Sequence, residues 1–212
     1  MNKNILEKEI NLIQDSTIKE FTKKTLSNTP DYFFVGMASS TGKYHPQCTC
    51  RKSGLLIHVK RAIYTVNRLC DGWGIKGIDR DIVLSATILH DIAKVPSPKE
   101  NSKITYTDYE NHPINAEKYW FGEKETIMLG IDNLAKITNC IRYHMGLWTP
   151  QSIKKEIKDY TLLELIVYTA DYIATTKDLI TPVDNTDGIP CQCENPLENE
   201  LSSKCGNCGL EI

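Results

Sequence analysis

The sequence predicts an all-α domain with a small cysteine-rich appendage, and three observations carry that expectation. Apolar residues recur at helical spacing through most of the chain up to Pro182. No segment alternates apolar and polar residues strongly enough to be a central strand. After Pro182 the periodicity stops and Gly, Pro, Asn and Cys take over, which divides the chain into a helical body, residues 1–182, and a tail, residues 183–212.

Taken in order, Ile5, Leu6, Ile10, Ile13 and Phe21 predict an amphipathic helix from Asn4 to about Leu26. Residues 27–54 hold Pro, Gly, Ser and Thr around the short apolar "YFFV", a loop long enough to be either functional or disordered. Leu55, Val59, Ala62, Ile63, Val66 and Leu69 mark a helix that runs to "DGWG". A denser set, Ile82, Leu84, Ala86, Ile88, Leu89 and Ile92, predicts a buried helix ended by Pro96 and Pro98. Further helices are expected from Pro113 to Phe121, from Glu123 to His144 with a break at Gly130, and from Tyr160 to Asp178.

The composition narrows the function. With 212 residues, 41% apolar and 25% charged, the chain is of ordinary globular make-up. It has no apolar run long enough to span a bilayer, and charges interrupt "MNKNILEKEINLIQD", so no membrane and a cytoplasmic location are expected. A net charge of −2 argues against a general nucleic-acid binder. Between Asp31 and Asp71, however, there is no acidic residue, while Lys43, Arg51, Lys52, Lys60, Arg61 and Arg68 all fall there. That segment is either a solvated face or a wall that meets phosphate, with Lys43, Arg51, Lys52 and Lys60 as the candidate contacts.

Four of the five histidines lie in the helical body. His58 and His144 continue apolar stripes, His90 follows Leu89 and stands beside Asp91, and His112 precedes Pro113; Asp171 adjoins Ala170 in the last helix. A single histidine on an apolar face is more often a satisfied core residue than a ligand. Four imidazoles and two carboxylates in one apolar domain are costly unless they satisfy one another or a shared cation. Nitrogen and oxygen donors without thiolate suit Mn²⁺, Fe²⁺ or Zn²⁺, with Ni²⁺ and Mg²⁺ also in range. His90 and Asp91, about 100° apart on a helix, can both reach one cation. His58 and Asp171 would complete that site, and His112 and His144 would serve a second, with Asp91 as the bridge.

These residues resemble the HD-domain superfamily of metal-dependent phosphohydrolases. "LLIHVKRA", "ILHDIAK" and "YTADYIA" look like its three core motifs, over roughly residues 55–178. His112 and His144 are similar to its two-metal branch, which includes symmetrical diadenosine tetraphosphate hydrolases and an HD-domain 3′-to-5′ exoribonuclease. "IRYHMG" looks like the former, and "KYHP" before "SGLLIH" like the latter. The "GYP" signature of cyclic-di-GMP phosphodiesterases is absent.

The resemblance implies an HD-domain helical bundle holding two cations roughly 3.5–4 Å apart, which lower the pKa of a shared water. It implies a nucleotide or other small phosphorylated substrate. Asp91, Lys94 and His45 are the candidate catalytic residues. Lys94 could meet a non-bridging phosphate oxygen or be a solvated lysine near a helix end. His45 could hold the phosphate or protonate the leaving group, or do neither. The alternatives are a 3′-to-5′ exonuclease on single strands, for which Tyr44, Trp120, Tyr143 and Trp148 are the available aromatics unless they pack in the core, and a non-catalytic nucleotide sensor.

Eight cysteines complete the inventory. Cys70 and Cys140 fall in helical patterns and are read as core, and Cys48 and Cys50 as free thiols. In "CQCENPLENELSSKCGNC" the residues Cys191, Cys193, Cys205 and Cys208 predict one structural zinc in a ribbon-like tail, because so short a segment without an apolar core needs a staple. The tail's acidic residues and four thiolates fit a protein partner or self-association better than nucleic acid. "GMASSTGKY" is no phosphate-binding P-loop: five residues separate its glycines, and Tyr44 follows the lysine.

Overall fold

A computed structural model describes residues 3–39, 41–96, 101, 103, 105–120, 123–177 and 181, and the backbone of 198–199 and 202–205. The body is all-α, as the periodicity predicts. Its helices in chain order are α1 (Glu7–Ile10), α2 (Ser16–Asn28), α3 (Asp31–Val35), α4 (Gly54–Trp73), α5 (Gly77–Leu89), α6 (Tyr106–Glu110), α7 (His112–Asn115), α8 (Glu123–Leu129), α9 (Ile131–Tyr143) and α10 (Leu162–Ala174). Short 3-10 turns fill several of the connections.

α5 is the centre of the bundle. Every residue from Asp81 to Leu89 is buried, and the helix packs against α2, α4, α9 and α10. α4 and α10 pack against each other as well, so α4, α5, α9 and α10 enclose one core, with α2 laid over α5. Burying a Leu or Ile side chain there is worth about 1.5–3 kcal/mol each, and Leu55, Leu56, Ile57, Ile82, Leu84, Ile88 and Leu89 are all fully buried.

The first predicted helix is interrupted. α1 stops at Ile10 and α2 begins at Ser16, because the Asp15 side chain accepts the amides of Thr17 and Ile18 and so caps α2. The buried Asp81 carboxylate accepts the amides of Gln14 (3.0 Å) and Asp15 (2.7 Å), which pins this corner to α5. Gly130, with φ of 81°, separates α8 from α9 where the sequence placed the break. The segment expected to be helical from Pro113 splits into α7 and a 3-10 turn, Ala116–Tyr119.

The long loop before α4 is ordered by its own backbone. Ala38 donates to Thr49, Ser53 to Val35 and Leu55 to Gly36. Gly54 packs so tightly on the Thr49 backbone that a Cβ would collide with the Thr49 carbonyl. "YFFV" lies in α3 and places Phe33 and Phe34 in the core.

Arg61 closes α10 onto α4. Its Nε donates to the Ala174 carbonyl (2.9 Å), Nη2 to the Thr176 carbonyl (3.0 Å) and Nη1 to Thr181 Oγ1 (3.2 Å). A guanidinium that meets the last carbonyls of a helix also complements its dipole. No helix among the described residues is long and apolar enough to cross a membrane. In the tail, Glu198–Asn199 pairs antiparallel with Ser202–Cys205. The proposed ligands Cys191, Cys193 and Cys208, and the side chain of Cys205, lie outside the described residues.

Candidate metal centre

The enclosed space between α4, α5, α9 and α10 is where the histidines meet. His58 projects from the second turn of α4 and Asp171 from α10. His90 and His144 sit one residue past the ends of α5 and α9, and His112 opens α7. The sequence placed His90 and Asp91 inside a continuous helix, but α5 ends at Leu89, and turns from Leu89 to Ile92 and from Asp91 to Lys94 follow. The change matters because a turn lets Asp91 point back into the bundle centre, where it is 1% exposed.

The six side chains form one connected cluster. His58 Nε2 lies 2.8 Å from Asp171 Oδ1 and 3.3 Å from His90 Nε2. Asp91 Oδ2 is 3.5 Å from His90 Nε2 and 3.8 Å from His58 Nε2. The other oxygen, Asp91 Oδ1, is 3.1 Å from His112 Nε2 and 3.7 Å from His144 Nε2. Asp91 thus turns one oxygen to each pair of imidazoles. Three overlapping triads have donor atoms within 4.8 Å of one another: His58, His90 and Asp91; His90, His144 and Asp171; Asp91, His112 and His144.

Hydrogen bonding fixes what the rings offer. The Nδ1 atoms of His90, His112 and His144 lie 2.7, 3.0 and 2.7 Å from the carbonyls of Thr87, Tyr109 and Ile141, each three residues earlier. A carbonyl only accepts, so each Nδ1 carries the proton, and a neutral ring then presents a lone pair at Nε2. His112 Nε2 and His144 Nε2 face each other at 3.2 Å. Two lone pairs at that distance repel unless a cation or a proton stands between them. Burial, foremost, with help from neighbouring His90, pushes His144 down to about 3, so its ring stays neutral. The buried Asp91 Oδ1 also has no hydrogen-bond partner. Acceptors converging from three chain segments fit a divalent cation.

The family that carries this cluster follows from its span. A profile of the family described as HD domain matches residues 55–176, more than half of the chain, and takes in all six residues. The chain belongs to the HD-domain family. Its members are generally metal-dependent hydrolases, and the His and Asp cluster accords with divalent metal binding. No curated protein and no solved structure matches the chain.

Electrostatics keep the HD site largely deprotonated. Burial alone would raise Asp91, but Lys94 and His90 hold it well below the usual carboxylate range. Asp171 is held low against the same burial by its neighbours His58 and His90. Burial, outweighing Asp171, pushes His58 down. His90 runs the other way: burial opposes its charge, yet Asp91 and Asp171 raise it to about 8.

The remaining sequence candidates sort by position. Lys94 is not one helical turn beyond His90 but in the turn after α5, with Nζ 3.0 Å from Asp91 Oδ2. Burial works against its charge, and the carboxylate more than offsets this, raising its pKa above the ordinary value. His45, from the loop before α4, comes up to His58 with ring centroids 5.3 Å apart, and its buried Nδ1 has no partner. Burial, then His58 and Lys94, push it down to about 3, so it is a neutral ring at neutral pH.

Lys43, Arg51 and Lys52 lie on the same loop, at the surface or half-buried. Lys60 does not fit a substrate contact. Two residues past His58 it has turned to another face of α4, where its buried Nζ pairs with Glu9 at 2.8 Å. Arg61 is likewise spent on α10, so the basic wall read from the sequence is partly internal scaffolding. Cys70 and Cys140 are buried as expected, and Cys48 and Cys50 are free thiols. Sequence reasoning missed the three carbonyls that orient the imidazoles, although a histidine just past a helix end is itself the signal.

Proposed function

We propose that the chain is a two-metal phosphohydrolase that cleaves a phosphate ester or anhydride of a nucleotide-type substrate. The observation that carries this reading is the orientation of Asp91, one oxygen toward His58 and His90 and the other toward His112 and His144. In this reading His58, His90, Asp91 and Asp171 hold one cation, and Asp91, His112 and His144 the other. Two divalent cations, when bound, supply Lewis acidity and make a water nucleophilic near neutral pH. Mn²⁺ or Fe²⁺ suits this nitrogen and oxygen donor set, and Zn²⁺, Ni²⁺ and Mg²⁺ are further candidates.

The chain's own residues do the rest. Asp91 is the shared ligand, and the carbonyls of Thr87, Tyr109 and Ile141 keep three imidazoles turned inward. Lys94 offsets negative charge beside Asp91 and lies where a phosphate oxygen can share its ammonium. His45, neutral and with an unpaired ring nitrogen, holds a hydrogen bond to the substrate phosphate. Lys43, Arg51 and Lys52 supply positive potential on the loop that carries it.

The test is a panel of nucleotides, dinucleoside polyphosphates, cyclic nucleotides and single-stranded oligonucleotides offered to purified protein with Mn²⁺. Hydrolysis of a small nucleotide that is lost in Asp91→Ala, with the circular dichroism of the native fold retained, is the expected result. Turnover unchanged in that variant sinks the two-metal reading. Stepwise release of mononucleotides from the oligonucleotide makes the protein an exonuclease instead, and metal and nucleotide binding without any hydrolysis makes it a sensor.

A further inference from the structure

Two large aromatic side chains flanking the HD site are not buried. Tyr44 and Trp148 are 60% and 59% exposed, where core packing is the ordinary fate of such rings. They reach each other from separate parts of the chain, with ring centroids 6.4 Å apart and planes inclined by 47°. Tyr44 is bonded directly to His45, whose ring touches His58. Trp148 follows the buried ligand candidate His144 by four residues.

The backbone holds this pair outward. Gly146 takes φ of 57° and packs so closely on the Tyr168 ring that a Cβ there would collide with it. The chain then turns through Gly146–Trp148, with Trp148 donating to the Met145 carbonyl and Thr149 to that of Gly146, and Leu147 and Trp148 emerge at the surface. Lys43 Nζ lies 5.0 Å over the Tyr44 ring, which places a cation against one ring, while Trp148 is exposed.

We propose that Tyr44 and Trp148 form a stacking corner for one nucleobase beside the HD site, so that the substrate is a phosphate carrying an aromatic base. In this arrangement the exposed rings take the base, Lys43 meets the phosphate charge, and the His and Asp cluster lies beyond His45. Stacking on aromatic faces predicts tolerance among bases, with purines ahead of pyrimidines because they cover more ring. The corner takes its chemistry from the hydrolase reading, but binding at it does not need turnover.

The experiment is calorimetric titration of the full chain with AMP and with ribose 5-phosphate, which differ only by the base. The wild type is expected to bind AMP tighter by roughly 5- to 100-fold, the range set by one base stacked on an aromatic ring. That ratio falls toward one in Trp148→Ala and in Tyr44→Ala and is largely kept in Trp148→Phe. Both positions are exposed, so these variants keep the fold. Equal affinity for the two ligands in the wild type, or a ratio that survives Trp148→Ala, overturns the corner and points to these rings as a protein-docking surface. A four-nucleotide single strand bound more than tenfold tighter than AMP overturns the one-base reading in favour of a strand. A base preference that depends on Trp148 in a chain that hydrolyses nothing keeps the corner and removes the hydrolase reading; hydrolysis with no base preference does the reverse.

Discussion

His112 and His144 face each other at 3.2 Å because each ring has committed its Nδ1–H to a carbonyl three residues earlier. That arrangement accords with divalent metal binding, since a core histidine ordinarily satisfies both nitrogens with protein groups. It also has a pH signature in the metal-free protein. Buried His58 and His144 keep folded pKa values below the ordinary 6.5. Below that pH the unfolded chain therefore binds more protons than the folded one, and stability falls as pH drops. Raised His90 acts oppositely, adding stability that is complete below about 6.5 and lost as pH rises through about 8. Urea unfolding of chelator-stripped protein is thus expected to show maximal stability near pH 6.5 and a loss on the order of 1 kcal/mol or more per pH unit toward pH 5. A flat profile from pH 5 to 7 would mean that these imidazoles titrate as exposed ones.

At the scale of elements, the helices with dense apolar stripes were legible and their ends were not. α5 and α4 follow from the spacing of Ile82, Leu84, Ile88 and Leu89, and of Leu55, Val59 and Val66, because a buried face must repeat with the helix. The stop at Leu89 was hidden, since "HDIAK" continues the apolar pattern through Ile92 and Ala93, both buried in the turn as well. The break before α2 was hidden for a related reason: Asp15 caps it locally, while the residue that anchors the corner, Asp81, is far away in the chain.

Arg61 teaches the same lesson, a charge read as surface that proves to bind helix-end carbonyls over a long sequence separation. Arg61→Ala is expected to cost about 2–4 kcal/mol, because buried carbonyls lose a charged donor. A denaturation midpoint unchanged in that variant would remove it from the scaffold. Gly146→Ala should destabilise by about 1–3 kcal/mol, from the left-handed backbone and the Tyr168 contact together; thermal unfolding reads it.

For the whole molecule, the fold class and the grouping of the six residues were legible because several histidines and acids interrupting apolar stripes must be compensated together. What a single sequence could not supply was which charged residues face the site, since Lys43 and Lys60 look alike until one is seen beside Tyr44 and the other buried against Glu9. The tail is a separate proposal: Cys191, Cys193, Cys205 and Cys208 as one zinc site that docks a protein partner or a second copy. Elemental analysis of purified protein should show one zinc per chain fewer in a Cys205→Ser, Cys208→Ser double variant, and an unchanged zinc content refutes the ribbon.

Electron paramagnetic resonance of the stripped protein titrated with Mn²⁺ tests whether Asp91 is shared by two cations. The wild type is expected to give the spectrum of an exchange-coupled Mn²⁺ pair at two equivalents, replaced by that of isolated Mn²⁺ in His112→Ala. A spectrum of isolated ions at every loading of the wild type would contradict that sharing.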